Sequence, residues 1–239
     1  MMTPYLTVSH LSKRYNDKFV LEDLSFEVSQ GERIALFAPS GSGKTTLIHI
    51  LAGLESFNSG CFHFSSQKPT VIFQDLRLLS FLTVEENIML PFKIQSKPVT
   101  ESIRQSYRQW LEICRLEECA DQYPYQLSGG MKQKTALIRG FLGNPDFILM
   151  DEPFQSIDPA SKQTIMKHIL DSYPSTTMLF VTHQADEIPV MAQSVLCTQA
   201  HWLKQVVNLP VNVFQNWQSK FSSSFEQLLT NRTEYCTVL

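Results

Sequence analysis

The sequence predicts an α/β fold: a mainly parallel sheet, an antiparallel β subdomain at the N-terminus and an inserted helical subdomain. Three observations predict it. First, short apolar runs at 33–37, 70–73, 147–150 and 178–181 read as buried strands of such a sheet, the last three ending in polar residues. Second, residues 3–30 alternate in the manner of edge strands. Third, residues 76–127 change to helical spacing with basic and polar side chains interleaved. At 239 residues, the chain is one large domain or a domain with a substantial insertion, long enough to bury a real core.

Taken in order, Leu6, Val8 and His10, then Val20, Leu24, Phe26 and Val28, mark strands around turns at Asn16-Asp17 and Ser29-Gln30-Gly31. Tyr15 falls in the first turn, where an aromatic either packs or offers a flat face to a purine. The run Arg33–Phe37 leads into Ala38-Pro39-Ser40-Gly41-Ser42-Gly43-Lys44-Thr45-Thr46, and Leu47, Ile48, Ile50, Leu51 and Leu54 follow with helical spacing. Strand, glycine loop, helix is the context of a phosphate-binding loop. Gly41 and Gly43 let backbone N–H groups turn inward, and the helix start adds its partial positive charge. Lys44 suits the β- and γ-phosphates and the Thr45 hydroxyl suits Mg²⁺. Ala38 stands where a first glycine is usual; alanine can hold an extended conformation at a strand end.

A turn and short strand at 53–67 precede the run Thr70–Phe73, which ends at Gln74, whose amide could bind Mg²⁺ and orient a water or could be a plain loop residue. Pro91 and Pro98 interrupt the helical segment beyond it. Leu127-Ser128-Gly129-Gly130 then opens an apolar helix through Phe141 and Leu142, with Ser128 a good N-cap and the glycines leaving N–H groups uncovered. That is a second anion-recognising helix terminus, which a protein binding one nucleotide per chain does not need. Phe147–Met150 ends in Asp151-Glu152; neighbours on a strand face opposite ways, so the two acids either divide between Mg²⁺ and an attacking water or merely mark the strand's end. The last apolar run ends at Thr182-His183, a histidine that either donates to a γ-phosphate or is structural. Two final strands are expected at 194–197 and 202–207, and an amphipathic helix at 214–229.

A formal net charge of −3 gives no footprint for nucleic acid. Five cysteines (Cys61, Cys114, Cys119, Cys197, Cys236) have no metal-type spacing and read as free thiols of a reducing compartment. Neither a signal peptide nor a membrane span is visible, so a cytosolic protein is expected, one that would serve a membrane by docking to another chain.

The ordered set of Tyr15, the phosphate loop, Gln74, L-S-G-G at 127–130, the Asp151-Glu152 strand and His183 resembles that of ATP-binding cassette proteins over roughly residues 5–207. The L-S-G-G signature is particular to that family among phosphate-loop enzymes. The resemblance implies a phosphate-loop NTPase core at 1–75 and 145–207, a helical subdomain at 76–144 carrying the signature, and a C-terminal helical extension at 208–239. It implies a head-to-tail dimer holding two ATP and Mg²⁺, each nucleotide between the phosphate loop of one subunit and the signature of the other. By the same resemblance Tyr15 stacks on adenine, residues 38–46 hold phosphates, and Ser128, Gly129 and Gly130 close over the γ-phosphate in trans. Thr45, Gln74 and Asp151 serve Mg²⁺, Glu152 polarises the attacking water, His183 contacts the γ-phosphate, and Asp158 lies in the cross-dimer loop. Met131 and Lys134 stand where glutamine and arginine are usual.

A lone cassette looks like the ATPase subunit of a transporter, on the cytoplasmic face of the membrane, with permease subunits and a substrate-binding protein as partners. The run Gln74–Leu79 followed by Leu82–Asn87 resembles cassettes of the nitrate/sulfonate/taurine importer group, with importers of pyrimidine-type vitamin precursors close in pattern, which implies an importer of a small organic or anionic nutrient. Met89-Leu90-Pro91 resembles lipoprotein-release and cell-division cassettes instead. A soluble cassette ATPase and a catalytically idle subunit are the other readings weighed.

Overall fold

Strands β1 (Pro4–Tyr15) and β2 (Lys18–Ser29) turn about Asn16, which takes the left-handed conformation (φ 54°) that asparagine tolerates. The turn sits at Asn16-Asp17, as the sequence suggests, but Tyr15 lies just before it as the last residue of β1 and not within it. In chain order there follow β3 (Arg33–Phe37), α1 (Lys44–Leu51), β4 (Ser59–Phe64), β5 (Thr70–Ile72), α2 (Val84–Ile94), α3 (Glu101–Cys114) and α4 (Gly129–Phe141). Then come β6 (Phe147–Asp151), α5 (Pro159–Ser172), β7 (Thr177–Val181), α6 (Ile188–Met191), β8 (Ser194–Thr198), β9 (Val206–Pro210) and α7 (Val211–Lys220). This computed structural model describes residues 4–38, 40–65, 69–198, 203 and 206–220.

The described residues within Pro4–Val28, Arg33–Ser65 and Thr182–Leu239 form one compact unit. Its antiparallel sheet has the order β2-β1-β4, with Leu6 opposite Phe64 and Val8 opposite Phe62. Its second group pairs β3 parallel with β8, and β8 antiparallel with β9. Leu6, Leu11, Leu24, Ile34, Leu36, Leu47 and Ile48 are fully buried, so each alternating strand and the inner stripe of α1 has an apolar partner. Of the strand expected at 202–207, Val206 and Val207 open β9, Leu203 pairs with Leu21, and residues 202, 204 and 205 lie outside the described residues. Phe214 of α7 closes on Phe37 edge to face, 5.4 Å between ring centres. The part of the expected terminal helix beyond residue 220 lies outside the described residues.

The described residues within Ser29–Glu32 and Ser66–Val181 form the other unit. Here β5, β6 and β7 run parallel, Ile72 beside Met150 and Leu149 beside Leu179. Every residue of β6 and β7 is buried, which is why these strands read as unbroken apolar runs rather than alternations. Helix α4 approaches this sheet through Gly140; a Cβ there would stand 2.8 Å from Ile72 Cδ1. Trp110 of α3 is fully buried, stacks obliquely on Phe141, and donates its indole N–H to Tyr173 Oη at 2.9 Å. Burial lifts the Cys114 thiol to about 12, so this core cysteine is inert; among the described residues all cysteines are free.

Pro91 does not interrupt the helical segment. It lies inside α2, whose N-terminus is fixed by a reciprocal capping box between Thr83 and Glu86. Burial of Val84, Ile88 and Phe92 on one face outweighs the single hydrogen bond that proline forfeits. Asn87, fully buried on the same helix, donates to Leu79 O, Leu82 O and Thr83 O (3.1, 3.0 and 2.9 Å) and accepts from Leu79 N at 2.8 Å. It staples the segment after Gln74 to α2. Asn87→Ala is expected to cost about 1–3 kcal/mol, because several buried backbone groups lose their partner at once. Urea unfolding of the two proteins checks it, and a difference below about 0.5 kcal/mol refutes the staple.

Candidate nucleotide site

In the unit that carries β3, the chain leaves the strand at Ala38, turns through Gly41 (φ 77°) and Gly43 (φ 97°), and enters α1 at Lys44. A Cβ on Gly43 would lie 2.6 Å from Val20 Cγ1 and 2.7 Å from Val20 O, so only glycine fits the close approach. Ala38 is 4% exposed and is not among the residues with positive φ, so its Cβ is tolerated where glycine is usual. Lys44, largely buried, donates Nζ to Ala38 O at 2.8 Å, which holds the ammonium inside the loop. Ser42 O accepts from Leu203 N at 3.0 Å, a second anchor from a residue far along the chain. Ser42 Oγ is buried with no hydrogen-bond partner among the described residues.

A phosphate fits this cradle. The loop has no room for a side chain at 43, holds a lysine ammonium and an unsatisfied buried hydroxyl, and heads a helix N-terminus. The Thr45 hydroxyl in this unit and, in the other unit, the Asp151 carboxylate are each hard oxygens of the kind Mg²⁺ takes. Among the described residues no three His, Cys, Asp or Glu side chains gather as a metal cage. Pro39 lies outside the described residues.

The same unit holds Tyr15, at the end of β1 and 46% exposed, with Lys13 Nζ 4.8 Å above its ring. It also holds His183, exposed at the head of a short turn. That turn is built by residues the sequence reading did not single out. Thr182 Oγ1 donates to the buried Glu187 carboxylate at 2.7 Å and accepts from Gln184 N at 3.0 Å.

Gln74, Asp151, Glu152 and the signature belong to the unit that carries β6. Gln74 is exposed, two residues past β5. Arg139 of α4 donates to Leu76 O and Arg77 O (2.6 and 2.9 Å), fixing the chain just beyond it. Asp151 is the last residue of β6 and is 2% exposed. Glu152 is not on the strand, contrary to the alternation argued from sequence. It lies beyond β6 in the left-handed region (φ 51°), with its N–H donated to Val181 O at 3.0 Å. The two acids thus part company through a backbone turn, not through strand pleating. A non-glycine residue there stores about 1–3 kcal/mol of strain, a pattern that clusters at functional sites.

Ser128 caps α4 as expected, its hydroxyl accepting from Met131 N at 3.3 Å, and Gly129 and Gly130 form the first turn. The glycines are needed for packing as well as for exposed N–H groups: a Cβ on Gly130 would lie 2.7 Å from Ser156 O. Gln133 Nε2 donates to Pro153 O at 2.7 Å and Lys134 Nζ to Ser161 Oγ at 3.2 Å. Asp158 caps α5 by accepting from Ser161 N at 2.9 Å, and that bond holds its carboxyl below the usual aspartate range. The structure thus brings the signature, the 155–158 segment and the turn after Glu152 together.

The ABC transporter family model matches residues 21–155, which takes in the phosphate loop, Gln74, the signature and Asp151-Glu152. The aliphatic sulfonates import ATP-binding protein SsuB of Bacillus thuringiensis subsp. konkukian is 33% identical over 230 residues, 92% of this chain and 90% of that protein. The sulfate/thiosulfate import ATP-binding protein CysA 1 of Shewanella oneidensis is 31% identical over 92% of this chain and 62% of its own length. The dimeric structure of MJ0796, a bacterial ABC transporter cassette, shares the fold at TM-score 0.75 and 24% identity, covering 86% of this chain and 98% of that one. The phosphate-loop NTPase fold read from the sequence is therefore the fold observed, and the chain belongs to the ABC transporter family as one of its ATP-binding, ATP-hydrolysing cassettes.

Proposed function

We propose that this cassette powers an importer of a small anionic nutrient, with aliphatic sulfonates the first class to test. It pairs head to tail with a second cassette, most simply another copy of itself, and lies peripherally on the cytoplasmic face of a membrane permease served by a substrate-binding protein. Among the described residues no helix is long and apolar enough to cross a membrane, which leaves that task to the permease. The core comprises 1–75 and 145–207, the helical subdomain 76–144 grips the permease, and 208–239 is an extension. The observation that carries the reading is the uncovered helix N-terminus at Ser128–Gly130, additional to the phosphate loop at Lys44. Similarity to sulfonate and sulfate import proteins supports the cargo class.

In this reading residues 38–46 cradle the phosphates, Lys44 neutralises β- and γ-oxygens, and Tyr15 stacks on adenine. Thr45, Gln74 and Asp151 would hold Mg²⁺, and the ion would supply positive charge against the phosphates. Glu152 orients and polarises the water, His183 donates to the γ-phosphate, and Ser128, Gly129 and Gly130 of the second subunit close the site. Catalysis is then positioning and charge stabilisation of an in-line transfer. Cells expressing Lys44→Ala in place of the wild-type chain should lose uptake of a radiolabelled alkanesulfonate, and the tagged wild-type chain should copurify an integral membrane protein. Uptake at the wild-type rate in the variant overturns the cargo class; purification without any membrane partner overturns the transporter role.

A further inference from the structure

Helix α4 touches the segment after β6 at three places. Gly130 packs against Ser156 O, Lys134 Nζ reaches Ser161 Oγ at 3.2 Å, and Gln133 Nε2 donates to Pro153 O at 2.7 Å. Gln133 is 4% exposed, so its amide is a buried hydrogen bond from side chain to backbone, costly to leave unmade. Its acceptor is the carbonyl immediately after Glu152. Glu152 is held in a strained left-handed conformation, and its own N–H is tied to Val181 O of β7. The residue is thus clamped on its N-terminal side by the sheet and on its C-terminal side by the helix that begins with the signature. A displacement of α4 by about an ångström therefore reaches the turn that carries the Glu152 carboxylate through the Gln133 amide.

From this geometry we infer that Gln133 is a positioning residue that couples engagement of Ser128–Gly130 to the aim of Glu152. Occupancy of the signature by the second subunit's nucleotide then licenses hydrolysis of the nucleotide this chain itself binds. The inference rests on the roles proposed above for Glu152 and the signature. Arg139 and Lys134 also join α4 to neighbouring segments, but neither bonds the turn that holds Glu152.

Two variants test it. Gln133→Met keeps the length of the side chain and removes the donor. Its kcat should fall about 10²-fold with KM for ATP within about twofold of wild type, since an ångström of misplacement costs that much. In a Glu152→Gln background the same substitution should leave ATP-driven dimerisation on size exclusion intact. Gln133→Glu restores a donor only when protonated, so its deficit relative to wild type should shrink as pH falls from 8 to 6. Unchanged kcat in Gln133→Met, loss of ATP-driven dimerisation, or a Gln133→Glu deficit that stays constant with pH overturns the coupling. Failure of the underlying reading is separately visible: it shows as full turnover in Glu152→Gln alone.

Discussion

Glu152→Gln is expected to lower ATP turnover by about 10²–10⁴-fold while leaving ATP binding intact. The substitution keeps the side chain's length and the Glu152 N–H bond to Val181 O, so the turn beyond β6 should hold its shape. What changes is basicity: an amide cannot take or share a proton from water as a carboxylate can. Because the strained φ of 51° is independent of the side-chain terminus, the variant should unfold at the wild-type denaturant concentration. Phosphate release measured beside binding of a fluorescent ATP analogue separates the two effects. With hydrolysis blocked, size exclusion in Mg-ATP should show a dimer that the wild type does not accumulate. Turnover within threefold of wild type removes Glu152 from the chemistry.

How far the sequence revealed this arrangement depended on the kind of constraint involved. The phosphate loop was legible because its glycines sit between a buried strand and an apolar-periodic helix, and both neighbours leave periodic traces. The same holds for β6, whose burial on both faces produces Phe147–Met150 without a polar break. Features fixed by bonds between distant segments left no such trace. No pattern marks Gln133 as the partner of Pro153 O, Thr182 as the partner of Glu187, or Asn87 as a staple for Leu79 and Leu82. The backbone turn at Glu152 was missed because alternation was carried one residue past the strand's end. Pro91 misled in the opposite direction, since local propensity yields where tertiary burial of Ile88 and Phe92 decides.

Gly43→Ala should damage both folding and nucleotide binding, and comparison with Gly41→Ala shows why. Both glycines have positive φ (97° and 77°), so alanine at either pays about 1–2 kcal/mol of backbone strain. At Gly41 no described residue lies within 4 Å of the added Cβ, and strain is the main cost. At Gly43 the Cβ would also meet Val20 Cγ1 at 2.6 Å and Val20 O at 2.7 Å, adding about 1–3 kcal/mol of overpacking. Relief requires β2 or the start of α1 to move, and Lys44 with the α1 N–H groups moves with it. Losing two charge-assisted hydrogen bonds to phosphate would weaken ATP binding by about 10²-fold or more. Isothermal titration with Mg-ATP, alongside urea unfolding, should therefore show Gly43→Ala impaired in both and Gly41→Ala mildly impaired. The double variant Gly43→Ala with Val20→Ala removes the methyl contact but leaves the carbonyl in place, so it should remain impaired. Full recovery in that double variant would place the constraint in the Val20 side chain and not in the backbone of β2.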